Sequence, residues 1–411
     1  MALASTSSIQ VRLIAEVTPG TTPGAGQNYD IRITGESFDF AIQKEASKEI
    51  NASRMTTSEA PVGASSSGGY QAELSYNEHD AVLAALLQST WTVYGTAGVA
   101  GAASTVAATA TTLTASATTA VPNPNDSWAL LKKGQWFMLE HPATANNGKL
   151  FRVSTITAPT TTVITLDVST PAAIVAATAG GKVKTSRLTH GTTQTSFSIE
   201  RQALDVGQYF IYKGMTPSKM TLNGASGALT TMSIDFMGLG VARNNATFLG
   251  GSSNNPSTAY GIHSAVSNAQ SLIWEGGEPA VGTFVKSVSL EFDNALRNQS
   301  AIGSLAPVGI GNGTIAAKAT MSVYFANGDL FDKFIANTGT SLIWASLDSA
   351  GNGYVFTAPN ANVNAFKITA GSKDQDLMAD VTLTLLGDQA NADAALRKVL
   401  IIDRVGAATT R

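Results

Sequence analysis

The sequence contains no cysteine and few charged residues. The absence of Cys among its 411 residues excludes disulfides, thiolate metal sites and a cysteine nucleophile, and favours folding in a cytoplasm. Charged residues make up only 13% of the chain, about half the usual share. The net charge of −3 argues against a surface built to grip phosphates. A surface so poor in charge suits a protein that buries large faces against partners, so self-assembly is the simplest interpretation.

Signals for secretion or membrane insertion are also missing. Residues 1–10 have neither the basic region nor the apolar region of a secretory signal. The long uncharged run 91–125 is rich in Ala, Thr, Gly and Ser instead of the Leu and Ile of a membrane span. We therefore expect no membrane span.

Residues that could carry catalysis are scarce. The histidines, His79, His141, His190 and His263, include no pair at the i, i+4 spacing of a helical metal site. No nucleophile elbow and no acid/base pair of carboxylates stands out. The sequence predicts no enzyme activity, no cofactor and no metal. The alternative interpretation, a hydrolase, therefore has no residues to support it.

Alternating apolar residues recur in two parts of the chain and predict β-strands. The first strand pattern, at Phe38, Phe40 and Ile42, recurs at Val288, Leu290 and Phe292. The string APVG at 60–63 recurs at 306–309, and a second pattern beginning at Tyr70 recurs from Ala317. The same order in both places indicates an internal duplication.

Each of these strand pairs is followed by a predicted short helix that Asn77 or Asn327 would cap. Apolar residues at helical spacing are expected to dock each helix on its sheet. They are Val82, Leu83, Leu86 and Leu87 in the first copy, and Leu330, Phe331, Phe334 and Ile335 in the second.

The first copy contains about a hundred residues that the second lacks, and these predict an inserted all-β module flanked by Ala/Thr/Gly-rich hinges. We expect this insert on an outer surface, where it would be dispensable for assembly. The predicted boundaries are 8–92 and 186–250 for the two parts of copy 1, 93–185 for the insert, 251–280 for a linker and 281–411 for copy 2.

Several strings resemble the tail tube proteins of long-tailed bacteriophages. AEVTPGTTP at 15–23 is similar to the opening of one large group of them. SFSIERQ at 196–202, YFIYKGM at 209–215 and SIDFMG at 233–238 resemble the ordered strand signature of that group. The resemblance covers most of the chain outside the insert, and none of these motifs is catalytic.

The resemblance implies β-sandwich or barrel-like tube domains, here two in tandem, each with one packed helix. Such domains form rings that stack around a channel. The resemblance implies two protein partners, the tape measure protein inside the channel during assembly and a tail terminator. Phage DNA passes through the channel without specific binding. The expected location is the virion tail, after folding in the host cytoplasm. Two domains per chain predict rings of three chains with pseudo-sixfold symmetry. The alternatives are a secretion-system tube of similar fold, and a surface adhesin or capsid decoration protein.

Each copy is predicted to carry a long polar loop, Gln43–Gly69 in the first and Asp293–Gly313 in the second. The first is unusually charged for this protein and is expected to contact the adjacent ring, as the corresponding loop does in related tubes. The candidate contact residues are Lys44, Glu45, Lys48, Glu49, Arg54 and Glu59. We expect this loop to be disordered in the free protein and ordered in the tube.

Overall fold

The structure is a computed structural model that describes residues 3–93, 99–100, 105–109, 111–115, 128–140, 148–167, 177–180, 182–257, 260–268, 273–276, 278–279 and 284–406. Within these ranges the chain is mainly β, with two short α-helices, which confirms the predicted fold class. Neither helix is long and apolar enough to cross a membrane.

The chain before the insert forms β1 (Ile9–Ala15), β2 (Gln27–Ile31), β3 (Gly35–Glu36), β4 (Asp39–Ala46), β5 (Glu59–Glu73), α1 (Asp80–Leu86) and β6 (Thr92–Val93). The insert forms β7 (Val99–Ala100), β8 (Thr105–Ala108), β9 (Thr112–Ala115), β10 (Trp136–Glu140), β11 (Lys149–Arg152), β12 (Val163–Thr165), β13 (Ala177–Gly180) and β14 (Lys182–Lys184).

The chain after the insert forms β15 (Ser186–Thr189), β16 (Phe197–Ala203), β17 (Gln208–Ala225), β18 (Thr231–Gly238), β19 (Gly240–Asn244) and β20 (Ser253–Asn255). It continues through β21 (Ile273–Glu275), β22 (Glu278–Pro279), β23 (Val285–Asp293), β24 (Arg297–Gln299), β25 (Gly309–Gly311) and β26 (Ala316–Tyr324). The last elements are α2 (Asp329–Ala336), β27 (Gly339–Leu347), β28 (Gly353–Thr369), β29 (Met378–Leu386) and β30 (Ile401–Val405).

One antiparallel sheet, which we call the long sheet, runs through the molecule in the order β4-β5-β18-β17-β23-β26-β29-β28. Alternate side chains along its central strands, such as Met220, Ile234 and Leu383, are fully buried. Their neighbours, such as Thr221 and Ser233, point to the opposite, partly exposed face. The long sheet therefore has one core face and one polar face.

β17 and β28 each belong to two sheets. Their second halves lie in the long sheet, while the first half of β17 pairs with β16 and β19, and the first half of β28 pairs with β27 and β30. Bulges near Ser218 and Asn364 lie close to these transitions and bend the strands. The resulting outer sheets are β20-β2-β1-β16-β17-β19 and β6-β15-β30-β28-β27-β21-β22. One continuous apolar core lies between the outer sheets and the long sheet, with both helices packed into it.

Six strand pairings occur twice in the same order along the chain. In the first half they are β4–β5, β5–β18, β18–β17, β17–β16, β16–β1 and β17–β19. In the second half they are β23–β26, β26–β29, β29–β28, β28–β27, β27–β21 and β28–β30. The pairing β17–β23 joins the two sets within the long sheet.

The strand register favours an alignment of the two sets that differs by two residues from the one predicted from the sequence. Tyr70 lies opposite Ile234, and Ala319 lies opposite Leu383. If Ile234 is aligned with Leu383, as the similar sequences of β18 and β29 suggest, Tyr70 corresponds to Ala319, two residues beyond the predicted Ala317. A shift of two residues leaves every side chain on the same face, so the alternating pattern cannot detect it.

The match of the preceding strands changes as well. Asp39 lies opposite Ser67 and Asp293 lies opposite Ala316, which are matching positions of β5 and β26. Asp39 therefore matches Asp293, and the buried Phe38 before it matches the buried Phe292. This alignment differs from the predicted match of Phe38 to Val288.

The described part of the insert forms two four-stranded sheets with a core of their own, which includes Trp128, Phe137 and Phe151. A second contact fastens the insert to the outer sheet of β27, β28 and β30. Its members are Trp136, Met138 and Leu150 of the insert against Ile343, Ala345, Leu347, Val355 and Val405. The insert thus lies on the face of this outer sheet that points away from the long sheet.

The expected linker 251–280 is an integrated part of the fold wherever the structure describes it. β20 pairs in parallel with β2, and β21 pairs with β27. His263 between them is completely buried, with its backbone bonded to Leu74 and Thr230. The described part of the predicted linker therefore carries strands that pair with both halves of the chain.

Candidate assembly surfaces

The segment that carries the predicted contact residues is a long β-hairpin, which we call the arm (residues 39–66). β4 pairs along its whole length with the first half of β5, so only residues 47–58 form a loop. The prediction of one polar loop over Gln43–Gly69, disordered in the free protein, is therefore wrong in extent. The Ser- and Gly-rich half of β5 has little intrinsic strand preference. Its backbone hydrogen bonds to β4 stabilise the strand instead.

Four of the six predicted charges pair along the arm itself. Lys44 Nζ lies 2.7 Å from Glu59 Oε1, and Lys48 Nζ lies 2.6 Å from Glu45 Oε1. All four side chains are largely exposed, so each pair contributes at most about 1 kcal/mol. The arm therefore carries these four charges as two pairs of opposite sign.

The remaining two predicted charges lie in the loop at the arm's tip. Thr57 Oγ1 donates to Glu49 Oε2 at 3.1 Å, and Arg54 has a left-handed backbone with φ 57°. Within the described residues, neither Glu49 nor Arg54 forms an ion pair. The tip therefore presents one acidic and one basic group to its surroundings.

The arm also exposes large apolar side chains. Ile42, Ile50, Met55 and Val62 are all at least half exposed, and Ile50 is completely so. Exposed apolar groups concentrated on a projecting hairpin mark a contact surface.

The second predicted loop, Asp293–Gly313, contains the short hairpin of β24 and β25. Its connection reaches the arm, where the backbone N–H of Ala64 donates to the carbonyl oxygen of Leu305 at 2.8 Å. The two segments predicted as separate loops are thus in contact.

The residues predicted to dock α1 are fully buried. Val82, Leu83, Leu86 and Leu87 all belong to the main core. α1 begins at Asp80 after His79, and not at a cap formed by Asn77, whose φ is 63°.

The residues predicted to dock α2 divide into two groups. Leu330 is buried and Phe334 packs partly against the core, but Phe331 is 43% exposed and Ile335 is 67% exposed. Phe331 still contacts the ring of Phe366 on β28, with centroids 5.7 Å apart. The docking prediction is therefore wrong for Ile335 and only partly right for Phe331, because no second layer covers the outer side of α2 in the described chain.

Both ends of the long sheet are open. Among the described residues, β4 pairs only with β5, and β28 beyond Asn362 pairs only with β29. Unpaired strand edges present rows of backbone donors and acceptors that recruit further strands.

The polar face of the long sheet carries a three-residue charge cluster on adjacent strands. Glu291 on β23 lies 3.2 Å from Lys219 Nζ on β17 and 3.3 Å from Lys318 Nζ on β26. Although partial burial acts in the opposite direction, hydrogen bonds from both lysines hold the pKa of Glu291 below its ordinary value. A groove beside this cluster is lined largely by small polar residues such as Asn223, Ser289 and Thr320.

The buried histidines have structural partners. Tyr70 Oη lies 3.2 Å from His79 Nδ1, and Ser346 Oγ lies 3.1 Å from His263 Nδ1. Burial lowers the pKa of His263 to about 3, so its imidazole is neutral. In the parts of the chain that the structure describes, no three His, Asp or Glu side chains are grouped as metal ligands.

Open sheet edges, an exposed arm and the absence of grouped chemistry in the described residues are the features of a structural protein that assembles with copies of itself. The model of the phage tail tube protein family matches residues 6–385, and the chain belongs to that family. A search of curated protein sequences returns no match. Membership makes the chain a structural subunit of the oligomeric tube in a phage tail and confirms the predicted resemblance.

Proposed function

We propose that three copies of the chain close into a ring, and that the rings stack around a channel through which phage DNA passes. The observation that carries this proposal is the pair of open edges at opposite ends of the long sheet. Each chain can then give one edge and receive the other, which is the head-to-tail contact that generates a closed ring.

The doubled set of strand pairings supports the number three. We infer that each set is one tube domain and that the second arose by duplication of the first. Two such domains per chain give six similar positions in a ring of three chains. The β17–β23 pairing would then join the two domains within one chain. An equivalent pairing would join the second domain of one chain to the first domain of the next.

That internal junction indicates which segments meet between chains. Within the chain, β17 pairs with β23 from Lys219 opposite Asp293 to Ala225 opposite Ser287. The matching segments are 362–369 at the end of β28 and 33–39, which contains β3 and ends at the first residue of β4. We expect these to pair antiparallel, and three such contacts would close the long sheets into one barrel.

The polar face of the long sheet suits the wall of such a channel. It carries Ser and Thr on most strands, and Glu291 pairs with two of its lysines, Lys219 and Lys318. Acidic groups, including Asp235 and Asp380, remain on this face, so a polyanion would find little to hold it. The insert packs on the opposite, outward side, which supports its place on the outer wall.

The arm is the proposed contact to the adjacent ring, with Glu49 and Arg54 at its tip. The tape measure protein inside the channel and a tail terminator at its end remain proposed partners from the family resemblance, as does folding in the host cytoplasm.

Electron microscopy of the purified full chain tests the proposal, with hollow tubes of threefold rings as the expected result. Substituting Lys367→Pro and, separately, Ile368→Pro then tests the edge. Adjacent residues of a strand direct their N–H groups to opposite sides, so one of the two prolines leaves the pairing with β29 intact while it obstructs the open edge. That variant should keep the melting temperature of the free chain and lose tubes. Tubes with six chains per ring, or dispersed chains at all concentrations, would contradict the proposal.

A further inference from the structure

A buried ion pair holds the two halves of the chain together. Asp80, the first residue of α1, accepts a hydrogen bond from Tyr354 Oη at 2.6 Å and another from the guanidinium of Arg404. The guanidinium lies over the rings of Trp91 and Tyr76, at 5.3 and 5.9 Å from their centroids. α1 belongs to the first set of strands, whereas β28 and β30, which carry Tyr354 and Arg404, belong to the second.

This contact is electrostatically strong. Burial acts to lower the pKa of Arg404, but the Asp80 carboxylate and the neighbouring tyrosines raise it above its ordinary value. Removing one partner of such a pair leaves a charge without compensation in the interior, which is strongly destabilising. The pair therefore fixes how the second set of strands lies on α1.

The basic residue of this contact has a counterpart in the first half of the chain. Arg404 on β30 lies opposite Tyr354 on β28, and Arg243 on β19 lies opposite Phe210 on β17. β30 and β19 flank matching halves of β28 and β17. Arg243 in the first set of strands thus corresponds in position to Arg404 in the second set.

The acidic residue also has a counterpart. α2 begins at Asp329, as α1 begins at Asp80. Both helices end in a left-handed residue, Asn337 with φ 50° and Gln88 with φ 52°, and both close with the same type of backbone hydrogen bond across their last turn. When the helices are aligned on their first residues and their left-handed ends, Asp329 occupies the place of Asp80, and Ile335, in place of the predicted Phe334, that of Leu86.

The counterparts differ from the internal pair in being exposed. Asp329 bonds only to Asn327 beside it, and Arg243 donates at 3.4 Å to Asn245. Neither forms an ion pair with any residue in the described ranges. One acidic and one basic group are thus left at the two opposite ends of the chain where copies would meet.

We propose that Asp329 of one chain pairs with Arg243 of the next chain in the ring, repeating between chains the Asp80–Arg404 contact within the chain. The inference rests on the proposed ring and names residues of its contact. Phe210 stands in the place of Tyr354 and offers no hydroxyl, so Arg243 is the principal donor to Asp329.

An apolar contact accompanies this pair at the other end of the helix. At the internal junction, Asn294 Nδ2 donates to the carbonyl oxygen of Leu86 near the end of α1 at 2.7 Å. The matching residues are Ile335 on α2, which is 67% exposed, and Phe40 at the base of the arm. Phe40 of the next chain therefore covers Ile335, which accounts for the apolar surface of α2.

Charge reversal tests the pair. Asp329→Arg and Arg243→Asp should each raise the concentration needed for tube formation about tenfold or more, and the double variant should recover most of the loss. Asp332→Arg makes the same charge change on an exposed residue of α2 and should have little effect. The melting temperature of the free chain should be unchanged in every variant, which separates assembly from folding.

Crosslinking provides an independent test, because the chain has no native cysteine. A short bis-maleimide added to tubes of the Asp329→Cys, Arg243→Cys double variant should yield covalent dimers and trimers of the chain. A matched variant with Cys at Arg243 and at Ile156 of the insert should remain single chains.

The outcomes separate the two proposals. If the wild-type chain forms tubes but the double-cysteine variant does not crosslink between chains and the charge reversals have no effect, the Asp329–Arg243 pair is wrong while the tube stands. If the wild-type chain forms no rings under any condition, both proposals fail.

Discussion

Arg187 and Asp403 form a two-pronged ion pair, with Nε to Oδ1 at 2.7 Å and Nη2 to Oδ2 at 2.8 Å. Asp403 is completely buried and also accepts from the backbone N–H of Trp136 at 3.0 Å. Arg187 lies on β15, Asp403 on β30 and Trp136 in the insert. A single carboxylate thus joins three parts of the chain that are far apart in sequence.

Replacing Asp403 with Ala should destabilise the free chain by about 3–5 kcal/mol, because Arg187 would remain buried without its partner. Urea unfolding of the free chain measures this change. Glu45→Ala, which removes an exposed partner of Lys48, serves as the control and should cost less than about 1 kcal/mol. Similar effects for the two substitutions would show that Asp403 contributes no more than a surface charge.

Removing the insert should leave a chain that still forms tubes, with a smaller outer diameter. Val93 lies opposite Ser186 in the antiparallel pair β6–β15, so an Asn-Gly turn can join them directly. The deletion uncovers the apolar patch of β27 and β28, and Ile343→Thr with Val355→Thr should keep the shortened chain soluble. Electron microscopy gives the diameter. A folded, soluble deletion variant that never assembles would rule out the proposed external, dispensable role.

Reversing the charges at the arm's tip should weaken stacking of rings without affecting the chain's fold. Glu49→Arg and Arg54→Glu should each shorten tubes at a given concentration, since neither charge has an ion-pair partner within the described residues. If the two residues pair with each other between rings, the double variant recovers part of the length. Glu45→Arg, on the strand part of the arm, is the control. Hydrogen exchange at 47–58 should slow on polymerisation, and equal rates in free and assembled protein would exclude the contact.

Stability of the free chain should fall as the pH drops below about 6.5. Burial lowers the pKa of His263 from 6.5 to about 3, so the unfolded chain takes up a proton in this interval while the folded chain does not. The contribution of His263 is present above pH 6.5 and is lost as the pH falls, by about 2 kcal/mol between pH 7 and pH 5. Urea unfolding of wild type and His263→Gln at several pH values measures the difference in slope. Parallel curves would show that His263 does not titrate in this way.

The sequence predicted the fold class, the family and the position of both helices, because these depend on local patterns. Alternating apolar residues identified β4, β5, β23 and β26, and helical spacing identified α1 and α2. Boundaries were less accurate, as the start of α1 at Asp80 shows. There the predicted Asn77 cap did not form, since Asn77 takes a left-handed turn instead. At the start of α2, the backbone N–H of Asp329 does donate to Asn327 Oδ1, at 3.4 Å.

The assembly surfaces were only partly predictable. The charges of the arm were conspicuous in a charge-poor sequence. Its hairpin was not predicted, because a Ser- and Gly-rich segment lacks a strand pattern and is held in a strand by its pairing with β4. The burial of Leu86 and the exposure of its counterpart Ile335 also depend on which part of the chain lies above each helix. The buried pairs of Asp80 and Asp403 were missed because their partners are hundreds of residues away. Only the topology brings them together.

The position of β30 has a consequence for synthesis of the protein. Residues 401–405 lie between β15 and β28, and supply both Asp403 and Arg404 to contacts with the first half of the chain. While the ribosome is still translating, the earlier strands can form but cannot reach their final packing. A nascent chain therefore lacks both the Asp80–Arg404 pair on α1 and the bond of Asp403 to the insert until β30 has been synthesised. We expect this order of strands to delay polymerisation until then.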